Sequence, residues 1–224
     1  MNPAPDAASP PLPAPSVAAS SAPAPGPAPA AGPLPSPPSR ELLAPGDVDP
    51  KAPARFTVRF ATTKGEFVIE VVRAWSPHGV DRFYRLVRLG FFQDIALFRV
   101  VKGFVVQFGI HGNPAVTAAW QRKTIKDDPV MESNQPGYLS FAKAGPATRI
   151  TQVFVNLTSN LPLDMQGFSP LAKVVSGMQV FDQLYAGYAD AITPRQGEIT
   201  QQGNAFLRNS YPKLDYIISA SIVK

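Results

Sequence analysis

No aromatic residue precedes Phe56 in this chain of 224 residues, and 17 of its 26 prolines lie before that position. A segment built from Pro, Ala and Ser cannot bury enough apolar area to offset the entropy lost on ordering it. Residues 1–54 are therefore expected to form a disordered or polyproline-like spacer, and residues 55–224 a single domain, their length of about 170 residues being ordinary for one.

Within the domain, period-2 alternation dominates. "RFTVRFATTKGEFVIEVV" places two β-rich runs around Thr63, Lys64 and Gly65, the pattern of a hairpin. "WSPHGVDRFYRLVRLGFF" then offers Ser76 as an N-cap, Pro77 in the first turn, an apolar stripe of Val80, Phe83 and Val87, and Gly90 as a stop, which predicts a helix from Pro77 to Leu89. "LFRVVKGFVVQFG" reads as one strand with Arg99 and Gln107 on one face and Phe98, Val100, Phe104 and Val106 on the other. Short strands follow at Tyr138–Ala142 and Gln152–Asn156, a second short helix at "GMQVFDQLY", and a closing strand in "DYIISASIV". The order never becomes a repeated β-α-β alternation, so the expected fold is mainly β: a closed antiparallel barrel capped by two α-helices.

The polar inventory is thin. The net charge of +5 is spread with no basic run of the kind that tracks a phosphate backbone, and no nucleic-acid partner is expected. There is no cysteine, which removes disulfides and thiol chemistry, and no metal-ligand spacing occurs. His78 and His111 lack acidic partners at a telling spacing and read as surface or capping residues. Asp127 and Asp128 lie in a turn signal, where local hydrogen bonds to backbone account for them. No segment is long and apolar enough to span a bilayer, and the N-terminus lacks a secretory signal. The chain as written is expected to be cytoplasmic and monomeric; an envelope or periplasmic location is the alternative if a signal lies upstream of Met1.

A reaction that breaks no covalent bond suits such an inventory. Rotation about an X-Pro bond is one: its barrier of about 18–20 kcal/mol comes from amide resonance, which weakens when the prolyl nitrogen is offered a donor. The machinery for it could be one arginine over an apolar pocket.

Three blocks resemble the cyclophilin family of peptidyl-prolyl isomerases. "FRVVKGFVVQFG" is similar to the family's F-H-R-x-[IV]-x-G-F-x-x-Q-G-G signature, "GYLSFAKAGPATRITQVFVNL" to its second block, and "LDMQGFSPLAKVVSGMQVFDQL" to its third. The likeness runs from about Phe56 to Ala186 and through the last strand; the Pro-rich tail and "TPRQGEITQQGNAFL" lie outside it. The resemblance implies that Arg99 donates to the prolyl group and that Gln107 orients it. It implies a proline pocket walled by Phe104 and Phe154 and completed by Val105 and Leu163, with Phe104 turned toward the site by an irregularity at Gly103. Ala142 and Lys143 match the segment that pairs with substrate backbone, Gln152 flanks it, and Phe168 takes a pocket-edge position usually held by histidine. Phe98 replaces another common histidine and is expected, with Val100, to help fill the barrel. Lys143 replaces an asparagine, and Pro162 stands where many members carry a tryptophan, which predicts weak cyclosporin binding.

The expected activity is thus isomerisation of X-Pro bonds in unfolded or flexible polypeptides, without metal or cofactor. Two other readings stay open: a module of the same fold that holds Pro-containing segments without turnover, and a scaffold whose role lies in its Pro-rich tail.

Overall fold

The computed structural model describes residues 37–223. Nine antiparallel strands form one sheet in the order β3-β9-β1-β2-β8-β6-β7-β5-β4. Strands β1 (Arg55–Thr62) and β2 (Gly65–Val72) make the hairpin that the alternation foretells, with Thr62 opposite Gly65 across a two-residue turn. Phe60 and Phe67, paired across the ladder, stack at 4.7 Å and start a core that continues through Phe83, Phe92 and Phe108. The remaining strands are β3 (Ile95–Ala96), β4 (Arg99–Val100), β5 (Val105–Phe108), β6 (Tyr138–Phe141), β7 (Val153–Asn156), β8 (Pro170–Ser176) and β9 (Tyr216–Val223).

The two margins of this sheet, β3 and β4, are consecutive in the chain and separated only by Leu97 and Phe98. Three residue steps span at most about 11 Å, so the sheet curls until its margins nearly meet. No ladder joins β3 to β4. Where the sequence leads one to expect a closed barrel, the structure has a curled antiparallel sheet bridged covalently at this seam.

The stretch expected as a single strand over residues 97–109 is a hairpin. Arg99 pairs with Gln107 and Val100 with Val106, while Val101–Phe104 form the turn, closed by a Phe104 N–H to Val101 carbonyl bond of 3.0 Å. Gly103 takes φ +73° there, at the turn position that requires positive φ. Of the two residues expected in the barrel, Val100 belongs to the main core, but Phe98 does not. Phe98 packs in a second cluster with Ile110, Ile192, Ile199 and Phe206, outside the barrel.

Five α-helical segments are present among the described residues: α1 (Arg40–Leu43), α2 (Pro77–Arg88), α3 (Pro114–Trp120), α4 (Pro162–Met165) and α5 (Gln196–Ser210). Helix α2 matches its prediction and buries Val80, Phe83, Leu86 and Val87. Its N-terminus is capped differently from expectation. Ser76 gives its hydroxyl to Asp128 at 2.7 Å, and Asp128 accepts the His78 and Gly79 N–H groups at 3.0 and 2.9 Å. Asp128 is therefore a long-range cap rather than a local turn residue. Burial alone would raise its carboxyl; the bonds from Ser76, Gly79, His78 and Arg149 outweigh that and hold it below the usual carboxylate range.

The segment expected as a second helix forms a 3-10 turn at Met178–Gln183, and the second long helix is α5, in a stretch beyond the three blocks that carry the resemblance. Its helical dihedrals break at Gly203, with φ +60° and ψ −145°, where a Cβ would lie 2.0 Å from the Gly112 carbonyl oxygen. Only glycine allows the backbone this close.

The spacer expected over residues 1–54 needs correction in its last part. Residues 1–36 lie outside the described residues. From Pro37 onward the chain packs on the domain: Leu42 and Ala52 are buried, and the Leu42 carbonyl accepts the Trp120 indole N–H at 3.0 Å. Asp49 receives Arg82 Nε at 3.0 Å on both oxygens, and Arg85 Nη1 reaches it at 3.3 Å. A few apolar anchors and one buried ion pair fasten this segment despite its lack of aromatics.

Candidate active site

The site grows from the registers of four strands. Arg99 on β4 lies opposite Gln107 on β5, Gln107 opposite Phe154 on β7, and Phe154 opposite Ser140 on β6, so these side chains share one face of the sheet. Val105 shares that face with Gln107 by the period of the strand, while Val106 and Phe108 enter the main core. The side-chain contacts follow the register. Arg99 Nη1 donates to Gln107 Oε1 at 3.1 Å, and Gln107 Nε2 donates to Gln152 Oε1 at 2.8 Å.

Phe104 reaches the same face because it belongs to the turn and escapes strand parity. Its carbonyl accepts Leu157 N–H at 2.8 Å and Asn160 Nδ2 at 3.2 Å, which fixes the backbone. The Arg99 guanidinium carbon lies 5.4 Å from its ring centroid. On the other side of Gln107, Phe154 is 5% exposed and meets Phe168 edge-on at 5.6 Å. The Phe168 N–H bonds the Leu163 carbonyl at 3.0 Å and its carbonyl accepts Asn134 Nδ2 at 2.8 Å, so the loop carrying both apolar residues is tied to the sheet side. Lys143 Nζ lies 5.5 Å from the Phe168 ring centroid and pairs with Asp127 at 3.3 Å. The Ala142 N–H is already given to the Gln152 carbonyl at 2.9 Å.

A cleft of about 350 Å³ adjoins this row, lined by Gln107, Ala142, Lys143, Thr148, Gln152 and Gln196 among others. All ten residues named from the sequence thus fall in one connected region, either on the Arg99–Phe154 face or on the loops beside it. Two further residues reach it without any motif to announce them: Asp190 on Arg99 and Gln196 on Gln152. Gln196 comes from the "TPRQGEITQQGNAFL" stretch and Asp190 from the connection just before it, neither within the three quoted blocks.

The histidines stay apart from this row. His78 is exposed at the start of α2. His111 Nδ1 accepts the Asn113 N–H at 2.9 Å beside the Phe91 ring, and burial pushes its imidazole down to about 4, so it is neutral at pH 7. Among the described residues no cluster of His, Asp or Glu is placed to hold a metal, and no helix is long and apolar enough to cross a membrane.

Comparison with known proteins agrees with the geometry. The family model described as cyclophilin type peptidyl-prolyl cis-trans isomerase matches residues 57–203. Peptidyl-prolyl cis-trans isomerase B of Escherichia coli is 27% identical over 175 residues, covering 74% of this chain and 98% of the relative. Peptidyl-prolyl cis-trans isomerase CYP18-2 of Arabidopsis thaliana is 29% identical over 132 residues, 57% of this chain and 79% of its own. Among solved structures, a Cryptosporidium parvum cyclophilin type isomerase superposes with a TM-score of 0.57 at 18% identity, covering 76% of this chain and 98% of that one. The same protein in the presence of the dipeptide Ala-Pro superposes at 0.55.

Proposed function

The chain belongs to the cyclophilin-type peptidyl-prolyl cis-trans isomerase family, and from that premise we propose that Arg99 is the catalytic donor of its X-Pro isomerase activity. As the C–N bond twists, resonance is lost and a lone pair develops on the prolyl nitrogen. An N–H aimed at that lone pair stabilises the twisted state more than either planar one, which is the condition for acceleration. A guanidinium suits the task because it stays charged at every working pH and offers a planar fork of donors.

Gln107 holds the fork through Nη1, and the apolar surface of Phe104, Val105, Phe154, Leu163 and Phe168 is the seat for the proline ring. The Ala142 N–H is engaged by Gln152, so pairing with the substrate backbone falls to the Ala142 carbonyl and to Lys143. Exposed Leu161 and Met165 lie next to Leu163 on α4 and extend an apolar rim. That rim favours unfolded or flexible polypeptides, whose apolar residues are accessible, as substrates.

The observation that carries this reading is the Arg99–Gln107 bond set between the Phe104 and Phe154 rings. A protease-coupled isomerisation assay on a short X-Pro peptide tests it. Turnover that disappears in Arg99→Ala supports the reading; binding of the peptide without turnover by the wild type would make the protein a holding module of the same fold.

A further inference from the structure

Arg99 has a second partner. Asp190, on the connection between the 3-10 turn and α5, accepts from Arg99 Nε at 2.5 Å, and Thr193 Oγ1 donates to the same carboxylate oxygen at 3.4 Å. A few residues on, Gln196 at the start of α5 accepts Gln152 Nε2 at 3.0 Å. The donors all run one way, from Arg99 to Gln107 to Gln152 to Gln196. One segment therefore grips both ends of the row: Asp190 the guanidinium and Gln196 the last amide.

This segment is built into the fold. Ile192 is fully buried and Ile199 is 1% exposed, and both pack with Phe98, the residue immediately before Arg99 in the chain. The anchor and the arginine it serves are thus adjacent.

A guanidinium held only at Nη1 can swing on its flexible stem. A second acceptor at Nε fixes its plane while Nη2 takes part in neither bond. Donors ordered before the reaction stabilise a transition state without reorganisation cost. Because the Asp190 side chain is 59% exposed, water screens its charge and its effect on Arg99 is chiefly geometric. We infer that Asp190 is a positioning residue for Arg99, and that residues 190–196 complete the isomerase groove; the inference rests on Arg99 being the catalytic donor.

The test uses the full chain with Asp190→Ala, Asp190→Asn and Arg99→Ala, and with Gln201→Ala on the exposed side of α5 as a control. Asp190→Ala should lower kcat about fivefold to tenfold with KM within about twofold, the pattern of an interaction needed in the transition state. Asp190→Asn keeps an acceptor oxygen and should recover at least half of the loss, and Gln201→Ala should match wild type. By NMR, the Arg99 Nε–H resonance should be protected from exchange in wild type and Asp190→Asn and exposed in Asp190→Ala. Unchanged or raised kcat in Asp190→Ala, or an asparagine variant no better than alanine, overturns the positioning role. A wild type without turnover, or an active Arg99→Ala, overturns the underlying reading instead, so the two failures are distinguishable.

Discussion

Arg99 faces Gln107 directly across the β4–β5 ladder, and the two side chains meet at 3.1 Å. The pairing aims the guanidinium from a strand pair whose own backbone is fixed. Arg99→Ala should therefore lower kcat/KM by about two orders of magnitude or more while the melting temperature stays near wild type, since removing one electrostatic donor typically costs that much. Arg99→Lys should recover little, because the three donors of an ammonium radiate from one atom and cannot span the spaced positions that a planar fork reaches at Gln107, Asp190 and substrate. The check is the coupled peptide assay beside circular dichroism.

Asp49→Ala should destabilise the fold by about 3 kcal/mol or more, the usual cost of leaving a buried charge without its partner. Arg82, its partner, is 3% exposed and keeps only carbonyl acceptors at Lys123 and Ile150 once the carboxylate is gone. Removing residues 1–54 should cost more still, because it also strips Leu42 and Ala52 from the core and the acceptor from Trp120. Urea denaturation of the three proteins decides the order.

Stability should rise with pH between about 4 and about 6.5. The His111 imidazole is pushed down to about 4 by burial, so in this window the unfolded chain binds a proton that the folded one refuses. Its contribution is complete above the unfolded value of about 6.5 and is lost as pH falls toward 4, on the order of 3 kcal/mol in all. His111→Gln should flatten this part of the melting curve against pH. Turnover of folded protein should stay level from pH 6 to 8, where His111 is neutral and Arg99 charged; a bell-shaped profile would point to an acid/base pair outside the proposed step.

Cyclosporin should inhibit poorly. Pro162, which the resemblance sets where many family members carry a tryptophan, is exposed at the first position of α4 and offers neither the area nor the N–H of an indole. Losing such an anchor weakens binding by about 2 kcal/mol, a factor of about thirty. Pro162→Trp should regain part of it in an activity titration. Nanomolar inhibition of the wild type would show that the alignment through this loop is displaced.

What the sequence displays, and what it hides, divides by the range of the interaction. The β1–β2 hairpin and α2 are written in local periodicity, and both form where expected. The Arg99–Gln107 face is also legible, but for the wrong reason. A separation of eight residues keeps both on one face of a continuous strand, and a four-residue turn between two short strands returns the same parity, so alternation alone cannot separate the two. Residues 37–54 hide because their fasteners are a leucine, an alanine and a carboxylate paired far away in sequence. Helix α5 hides because its apolar residues Ile199, Phe206 and Leu207 are diluted by glutamine, asparagine and glycine. Asp128 serves a helix about fifty residues upstream, which no local turn rule reveals.

The seam at Leu97 and Phe98 has a consequence for how the protein can handle its substrates. Each margin of the sheet is only two residues long, and the chain itself ties one margin to the other. Long open margins recruit foreign strands, which is how sheets template aggregation. Beside the arginine, the two-residue margin of β4 is too short a rail for an extended polypeptide to add itself; the longer free edge is that of β9 beyond Ile217, which β3 covers only at Tyr216 and Ile217. The prolyl segment is held face-on, by the side chains around Arg99 with the Ala142 carbonyl beside them, and can leave without unzipping a ladder. The geometry that poises the arginine thus keeps the margin beside it from templating the chains it handles.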